Sequence, residues 1–208
     1  MSIRHVLLIL FLFVITKSFG QQLKAGSMAP DFSIEDASGK TIQLKEMKGN
    51  KVFLAFMRYV SCPACNYRFH ELKSNYEKLK SAGYELIVIY ESSSELLNEY
   101  LSKEPVEFSV VGDPKRKLYN IYGLERSTWK MITSVFKKDF RESRKKGNEL
   151  YGSTFYEKDG KRNSMPADFL IDENGKISRV YYGKHVSDHL PLIEVISNPL
   201  DRRNLENQ

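Results

Sequence analysis

The sequence predicts an α/β fold of three layers, a largely parallel sheet with helices packed on both faces. Two continuous apolar runs, Val52–Met57 and Tyr84–Tyr90, lack the alternation of a half-exposed strand and read as strands buried on both sides. Apolar residues at helical spacing follow each run: Phe69, Leu72, Tyr76 and Leu79, then Leu96, Leu97, Tyr100 and Leu101. A third short run, Phe108–Val111, completes a strand–helix–strand–helix–strand order, in which helices serve as crossovers between parallel strands.

The chain of 208 residues is long enough for one domain with a substantial core. Its formal charge of +6 comes without an aromatic–basic stripe, so no nucleic-acid binding is inferred. Met1–Gly20 reads as a secretory signal: Arg4 supplies positive charge, Val6–Ile15 is uninterrupted apolar sequence, and Ser18-Phe19-Gly20 offers small residues at a cleavage site. The apolar run is shorter than the about 20 residues a bilayer span needs. An exported protein, periplasmic or extracytoplasmic, is therefore expected, with no stable membrane insertion after cleavage. Residues 21–200 form the expected domain, and 201–208 a polar tail.

Within the domain, Ala29-Pro30-Asp31-Phe32 opens a short β segment, Asp36–Lys40 is rich in turn formers, and Thr41–Leu44 returns to close an N-terminal hairpin. The helix after Val52–Met57 is expected to run as far as Gly83, a good residue just past a helix end. Ser92-Ser93-Ser94-Glu95 has capping-box spacing for the next helix, and Gly112-Asp113-Pro114 stops the third strand. Lys115–Tyr122 reads as a short helix. Trp129, Ile132, Val135, Phe136 and Phe140 then give a helical stripe expected in the core or on a lid; the other face carries Lys137, Lys138, Arg141, Arg144, Lys145 and Lys146. Gly147–Ser164 is polar and reads as a long loop. Ala167–Ile171 and Lys176–Tyr182 form a hairpin about Glu173-Asn174-Gly175, and Ile193 and Ile196 mark a last helix.

The chemistry lies between the first buried strand and its helix, at Cys62-Pro63-Ala64-Cys65. A thiolate, not a thiol, is the nucleophile, and a cysteine of pKa near ~8.5 is only about 3% ionised at pH 7. The N-terminal end of a helix stabilises an anion, and a shift to roughly 7 raises the ionised fraction to about half. Cys62 is expected at the N-cap or first turn, with Pro63 suited to the first helical position and Arg58 upstream adding positive potential. Cys65 follows one turn later on the same face, about 5–6 Å away between Cβ atoms, within reach of a disulfide. A purely structural disulfide of so short a loop gains little, and a zinc ribbon needs a second cysteine pair that the chain, with 2 cysteines, does not have.

Several stretches resemble a known family. Ala29–Phe32 (APDF), the apolar strand leading into CPAC, Met165–Ile177 (MPADFLIDENGKI) and Tyr181–Gly183 (YYG) are similar to the thioredoxin fold, in the branch holding the AhpC/TSA proteins (peroxiredoxin-like) and the exported TlpA/ResA-type reductases. The likeness covers Gly26–Asp113 and Ser164–Asn198, leaving 123–163 as a helical insertion. It implies a thioredoxin-like three-layer fold with a central mixed sheet. It also implies a cis peptide at Met165-Pro166 facing the dithiol, with Pro63 and Met165 contacting substrate and Cys62, Cys65, Pro166 and Arg58 as catalytic residues. The peroxidase pattern P-x-x-x-T-x-x-C puts Cys65 at the reactive position, Cys62 at the threonine and Arg58 at the proline; Pro166 stands where that branch has an arginine. The buried acid that many reductases carry beneath the dithiol is missing from Val52–Met57, leaving Glu71 as a candidate proton acceptor.

Three readings follow. The first is an exported thiol–disulfide oxidoreductase, Cys62 attacking and Cys65 resolving, with a protein disulfide as substrate and an upstream thiol as reductant. The second is a thiol peroxidase acting on hydroperoxides. The third, from another class, is a Cu(I) metallochaperone using the thiols with His185 or His189. No cofactor and no resident metal are expected for the first two.

Overall fold

A computed structural model describes residues 21–151 and 160–197. The expected signal segment and polar tail lie outside the described residues. At the centre is a five-stranded sheet. In chain order its strands are β3 (Lys51–Phe56), β4 (Tyr84–Tyr90), β5 (Ser109–Gly112), β6 (Ala167–Ile171) and β7 (Ile177–Tyr182); the spatial order is β5-β4-β3-β6-β7. β3, β4 and β5 pair in parallel; β6 runs antiparallel to β3 and to β7, so the sheet is mixed. The expected N-terminal hairpin is present as β1 (Ser33–Glu35) and β2 (Thr41–Gln43).

Strand β3 shows why a continuous apolar run was required. Val52, Leu54 and Phe56 point into one core with Ile89, Tyr119 and Phe169, while Phe53 and Ala55, with Met57 beyond the strand, face the other with Phe69 and Leu72. Phe56 lies 5.2 Å from the Tyr119 ring, 5.3 Å from Tyr122 and 5.7 Å from Phe169, centroid to centroid. Such aromatic pairs contribute about 0.5–1.5 kcal/mol each beyond their area.

The helices are α1 (Pro63–Ser74), α2 (Tyr76–Ser81), α3 (Ser94–Lys103), α4 (Lys117–Ile121), α5 (Thr128–Ser134), α6 (Lys138–Tyr151) and α7 (Leu192–Ile196). Two of them correct the sequence expectation of one helix after the thiols. The chain breaks at Asn75, whose φ of −112° leaves the helical region and whose side-chain amide and backbone N–H both donate to the Glu71 carbonyl, at 2.9 and 3.1 Å. Helix α3 is capped by Ser93, whose Oγ accepts from Leu96 N at 3.3 Å. Ser92 is fully buried, and its Oγ instead accepts from Val60 N at 2.9 Å, tying the end of β4 to the turn before the cysteines.

The insertion departs most from expectation. Its apolar stripe is not core: Trp129 is 74% and Phe136 75% exposed, and Ile132 and Val135 are exposed as well. Only Phe140 packs against the core, because the stripe is split between α5 and α6 by the turn at Val135–Lys137. Nor does Gly147 begin a loop. Helix α6 runs through it to Tyr151, along the dithiol helix α1.

Candidate active site

The turn from β3 into α1 is built from Arg58, Tyr59, Val60 and Ser61, and it ends with Cys62 at the N-cap of α1, φ −90° and ψ 113°, and Pro63 at the first helical position. Proline fits because no intrahelical acceptor exists for an N–H there. Cys62 N–H donates to Tyr59 O at 3.1 Å, which closes the turn and aims the sulfur along the helix start. The Cys62 Sγ accepts from the backbone N–H of Cys65 at 3.4 Å, taking the place of a serine or aspartate cap oxygen. Arg58 Nη1 donates to the same sulfur at 3.5 Å.

These donors separate the two thiols. A hydrogen bond from the Cys65 thiol is the largest influence on Cys62; Arg58 and the N–H groups of Cys65 and Ala64 add to it. Together they overcome burial and draw Cys62 down to about 6. Cys65 goes the other way: burial, the hydrogen bond to Cys62 and that sulfur's negative charge push it well above its ordinary value. At neutral pH the pair is one thiolate and one thiol, both free. Tyr59, pushed up to about 12 by burial and then by the Cys62 charge, stays a neutral phenol beneath the Arg58 guanidinium, 5.1 Å from its ring centroid.

Arg58 is held from behind. Its Nη2 donates to Arg162 O, and its own carbonyl accepts from Glu91 N at 2.8 Å. Glu91, at the end of β4 and 2% exposed, is the hub of a buried network. Its carboxylate accepts from Arg116 Nη1 at 2.6 Å and from Arg126 and Ser164. Sequence inspection missed this hub, because its partners lie up to 73 residues away along the chain. Asp168 on β6 was missed likewise. Fully buried, it accepts from Leu190 N at 2.6 Å and pairs with His189 Nδ1 at 3.1 Å, and it lies 3.9 Å from Arg68 of α1. Its one sequence signal was an acid inside an otherwise apolar strand.

Of the other anticipated residues, Pro63 is half-buried beside Cys62, and its carbonyl meets helix α6. Met165 and Pro166 precede β6, whose Ala167 pairs with Phe56, so they lie at the end of the sheet from which the dithiol turn departs. The expected cis bond is absent: no peptide among the described residues is cis, and Met165-Pro166 is trans. The local hydrogen bonding accommodates this. Met165 N–H donates to Glu125 O at 3.1 Å, and Pro166 O accepts from Gly183 N at 2.9 Å, so neither group is left for a substrate strand. Glu71 is not at the sulfurs; it sits 3.6 Å from Arg68. His185 and His189, the copper candidates, are engaged by Asp139 at 2.8 Å and by Asp168, and no cluster of three metal-ligating side chains occurs among the described residues.

A thiolate at a helix N-cap, a protonated partner one turn on and a mixed sheet between two helical layers define a thiol-dependent oxidoreductase of thioredoxin-like fold. The chain belongs to the AhpC/TSA family, whose model matches residues 25–180. It is 28% identical over 167 residues to peroxiredoxin Bcp of Escherichia coli (strain K12), covering 80% of this chain and 90% of that protein. It is also 32% identical over 103 residues to the thiol–disulfide oxidoreductase ResA of Bacillus subtilis (strain 168), covering 49% of this chain and 57% of ResA. Among solved structures, peroxidoxin BcpB of Mycobacterium tuberculosis superposes with a TM-score of 0.60 at 14% identity, covering 86% of this chain and 96% of that one. A putative thiol:disulfide interchange protein DsbE from Chlorobium tepidum gives 0.50 at 23%, covering 89% and 98%. The chain is thus a thiol-dependent redoxin, similar both to peroxiredoxins and to disulfide oxidoreductases.

Proposed function

We propose that the protein is an exported thiol–disulfide oxidoreductase acting on protein disulfides and regenerated by an upstream thiol reductant. The observation that carries this reading is the division of labour between the sulfurs. Cys62, at the N-cap, is the thiolate, and Cys65, which a peroxidase alignment makes the reactive residue, is the thiol. Export is supported by the apolar run Val6–Ile15 behind Arg4.

The Cys62 thiolate attacks one sulfur of the substrate disulfide. The substrate S–S bond breaks, one substrate thiolate leaves, and a Cys62–substrate mixed disulfide forms. This removes the charge on Cys62, which is among the causes holding Cys65 protonated, while Arg58 remains to favour a Cys65 thiolate. Cys65 then gives its proton to the departing thiolate or to water and attacks Cys62 Sγ. The second substrate thiolate is released, and a Cys62–Cys65 disulfide remains. Two electrons have passed to the substrate, and an external dithiol returns them.

A Cys65→Ser variant is expected to accumulate mixed disulfides that Cys62→Ser does not, and the wild type is expected to reduce insulin with a thiol reductant present. Absence of both overturns the reading. The likeness to peroxiredoxin Bcp favours thiol peroxidase activity as the second reading, although the Arg58 contact is to Cys62 and not to Cys65, the residue that alignment makes reactive. Stopped-flow consumption of hydrogen peroxide well above the rate of free cysteine selects it.

A further inference from the structure

Both cysteines are buried, Cys62 being 3% and Cys65 2% exposed, although an attacking thiolate must meet its substrate. Helix α6 of the insertion packs along α1, the helix that Cys62 caps. Its backbone presses onto the residue after Cys62: a Cβ placed on Gly147 would stand 1.9 Å from Pro63 O and 2.6 Å from its carbonyl carbon. Any side chain at 147 therefore requires α6 to lift from the active-site turn.

We propose that α6 is an access gate over the dithiol, and that the glycine at 147 sets the size of the reactant that reaches Cys62. The proposal rests on Cys62 being the attacking sulfur and deepens that reading by naming what limits its substrates. The gate is held at a few points. Asp139 Oδ2 meets His185 Nε2 at 2.8 Å, and Lys146 Nζ donates to Tyr67 OH at 3.1 Å. Just before α6, Ser134 Oγ accepts from Val186 N at 3.1 Å. Beyond these, the Tyr151 ring at the end of α6 packs 6.1 Å from that of Tyr100, Phe140 is partly buried against the core, and Gly147 is the buried residue of the helix, which lies along α1. An element with so little buried apolar surface belongs to the low end of local stability and opens without global unfolding. A small molecule needs only side-chain motion to reach the sulfur. A protein disulfide, which must lay a segment of chain beside Cys62, needs α6 to move off Pro63.

The test compares alkylation of the reduced protein by N-ethylmaleimide and by the same maleimide tethered to a folded carrier protein, in a Cys65→Ser background so that Cys62 alone reports. The ratio of the two rates cancels changes in nucleophilicity. For the ungated sulfur the two rates would be comparable; the gate makes the carrier reagent slower. Gly147→Ala is expected to raise the carrier rate about tenfold or more, the size of an overpacking penalty at a closed contact, with the small-reagent rate within about threefold. Asp139→Asn removes one exposed latch and is expected to raise the carrier rate about two- to fivefold. It stands on the surface, so it decides the matter if Gly147→Ala fails to fold. Equal rates for the two reagents on the unsubstituted gate, or wild-type ratios in every folded variant, overturn the proposal. Alkylation requires no turnover, so failure of insulin reduction leaves this test standing, and failure of this test leaves the assignment of the sulfurs intact.

Discussion

Arg58 is the residue on which the chemistry of Cys62 turns. It is 4% exposed, and the cost of burying its charge is offset by the Cys62 thiolate and by the Glu91 carboxylate. Its contact with the sulfur, at 3.5 Å, is charge-assisted, a class worth about 1.5–3 kcal/mol. Arg58→Met keeps much of the side-chain volume and removes the charge, so the pKa of Cys62 is expected to rise by roughly one to two units. The pH profile of N-ethylmaleimide alkylation, or thiolate absorbance in the ultraviolet, reads this directly. In the wild type the midpoint is expected at about 6, with reactivity at neutral pH close to its plateau. A midpoint unmoved by the substitution removes Arg58 from the account. The mixed disulfide is also expected to be less readily formed in the variant, because the thiolate fraction at pH 7 falls with the upward shift.

At the scale of elements, Glu91 ties together four pieces that are remote in the chain: the end of β4, the N-cap of α4 at Arg116, the start of the insertion at Arg126, and Ser164 before β6. Arg116 takes the left-handed conformation, φ 56°, so that its guanidinium reaches this carboxylate, the Leu124 carbonyl at 3.2 Å and the Tyr119 ring at 4.6 Å. Removing one member of a buried ion pair leaves an uncompensated charge, at a cost of about 3–5 kcal/mol. Glu91→Ala is expected to destabilise by that amount, lowering Tm by about 10 °C in a domain of this size. A shift of a degree or two shows that the network is solvated. The same contrast explains what was legible from sequence. The β3 strand and the CPAC turn were readable because their signals are local: an unbroken apolar run, a CxxC spacing, a proline suited to the first helical position. Glu91, Asp168 and Ser92 were not, because a polar residue acquires its role from partners that only the fold brings near. Gly147 reads from sequence as the start of a loop. A glycine in a basic helical pattern has that meaning unless a second helix comes against it, and the neighbour at Pro63 lies 84 positions earlier.

For the whole molecule, the asymmetry of the sulfurs becomes a dependence of stability on pH and on redox state. Cys62 is depressed in the folded protein, to about 6 from an ordinary value of 9.0. Below pH 6 it is protonated in both folded and unfolded chains and contributes nothing. As pH rises from 6 towards 9 the folded chain has lost a proton that the unfolded chain keeps, so the reduced protein gains stability; the gain is complete above 9 and is lost again as pH falls through 6. Cys65, pushed upward, works in the opposite sense as the pH approaches 9, so the clean window lies between 6 and 8. There the reduced wild type is expected to gain about 2 kcal/mol relative to Cys62→Ser, at ~1.36 kcal/mol per pH unit for one proton. The oxidised protein has no thiolate to ionise and is expected to show none of this slope against the same variant. Urea unfolding of the reduced, oxidised and Cys62→Ser proteins at pH 6, 7 and 8 measures all three. Parallel curves for the reduced wild type and the variant would mean that the fold does not hold Cys62 as an anion, and that the burial of both sulfurs, rather than the donors around Cys62, governs the site.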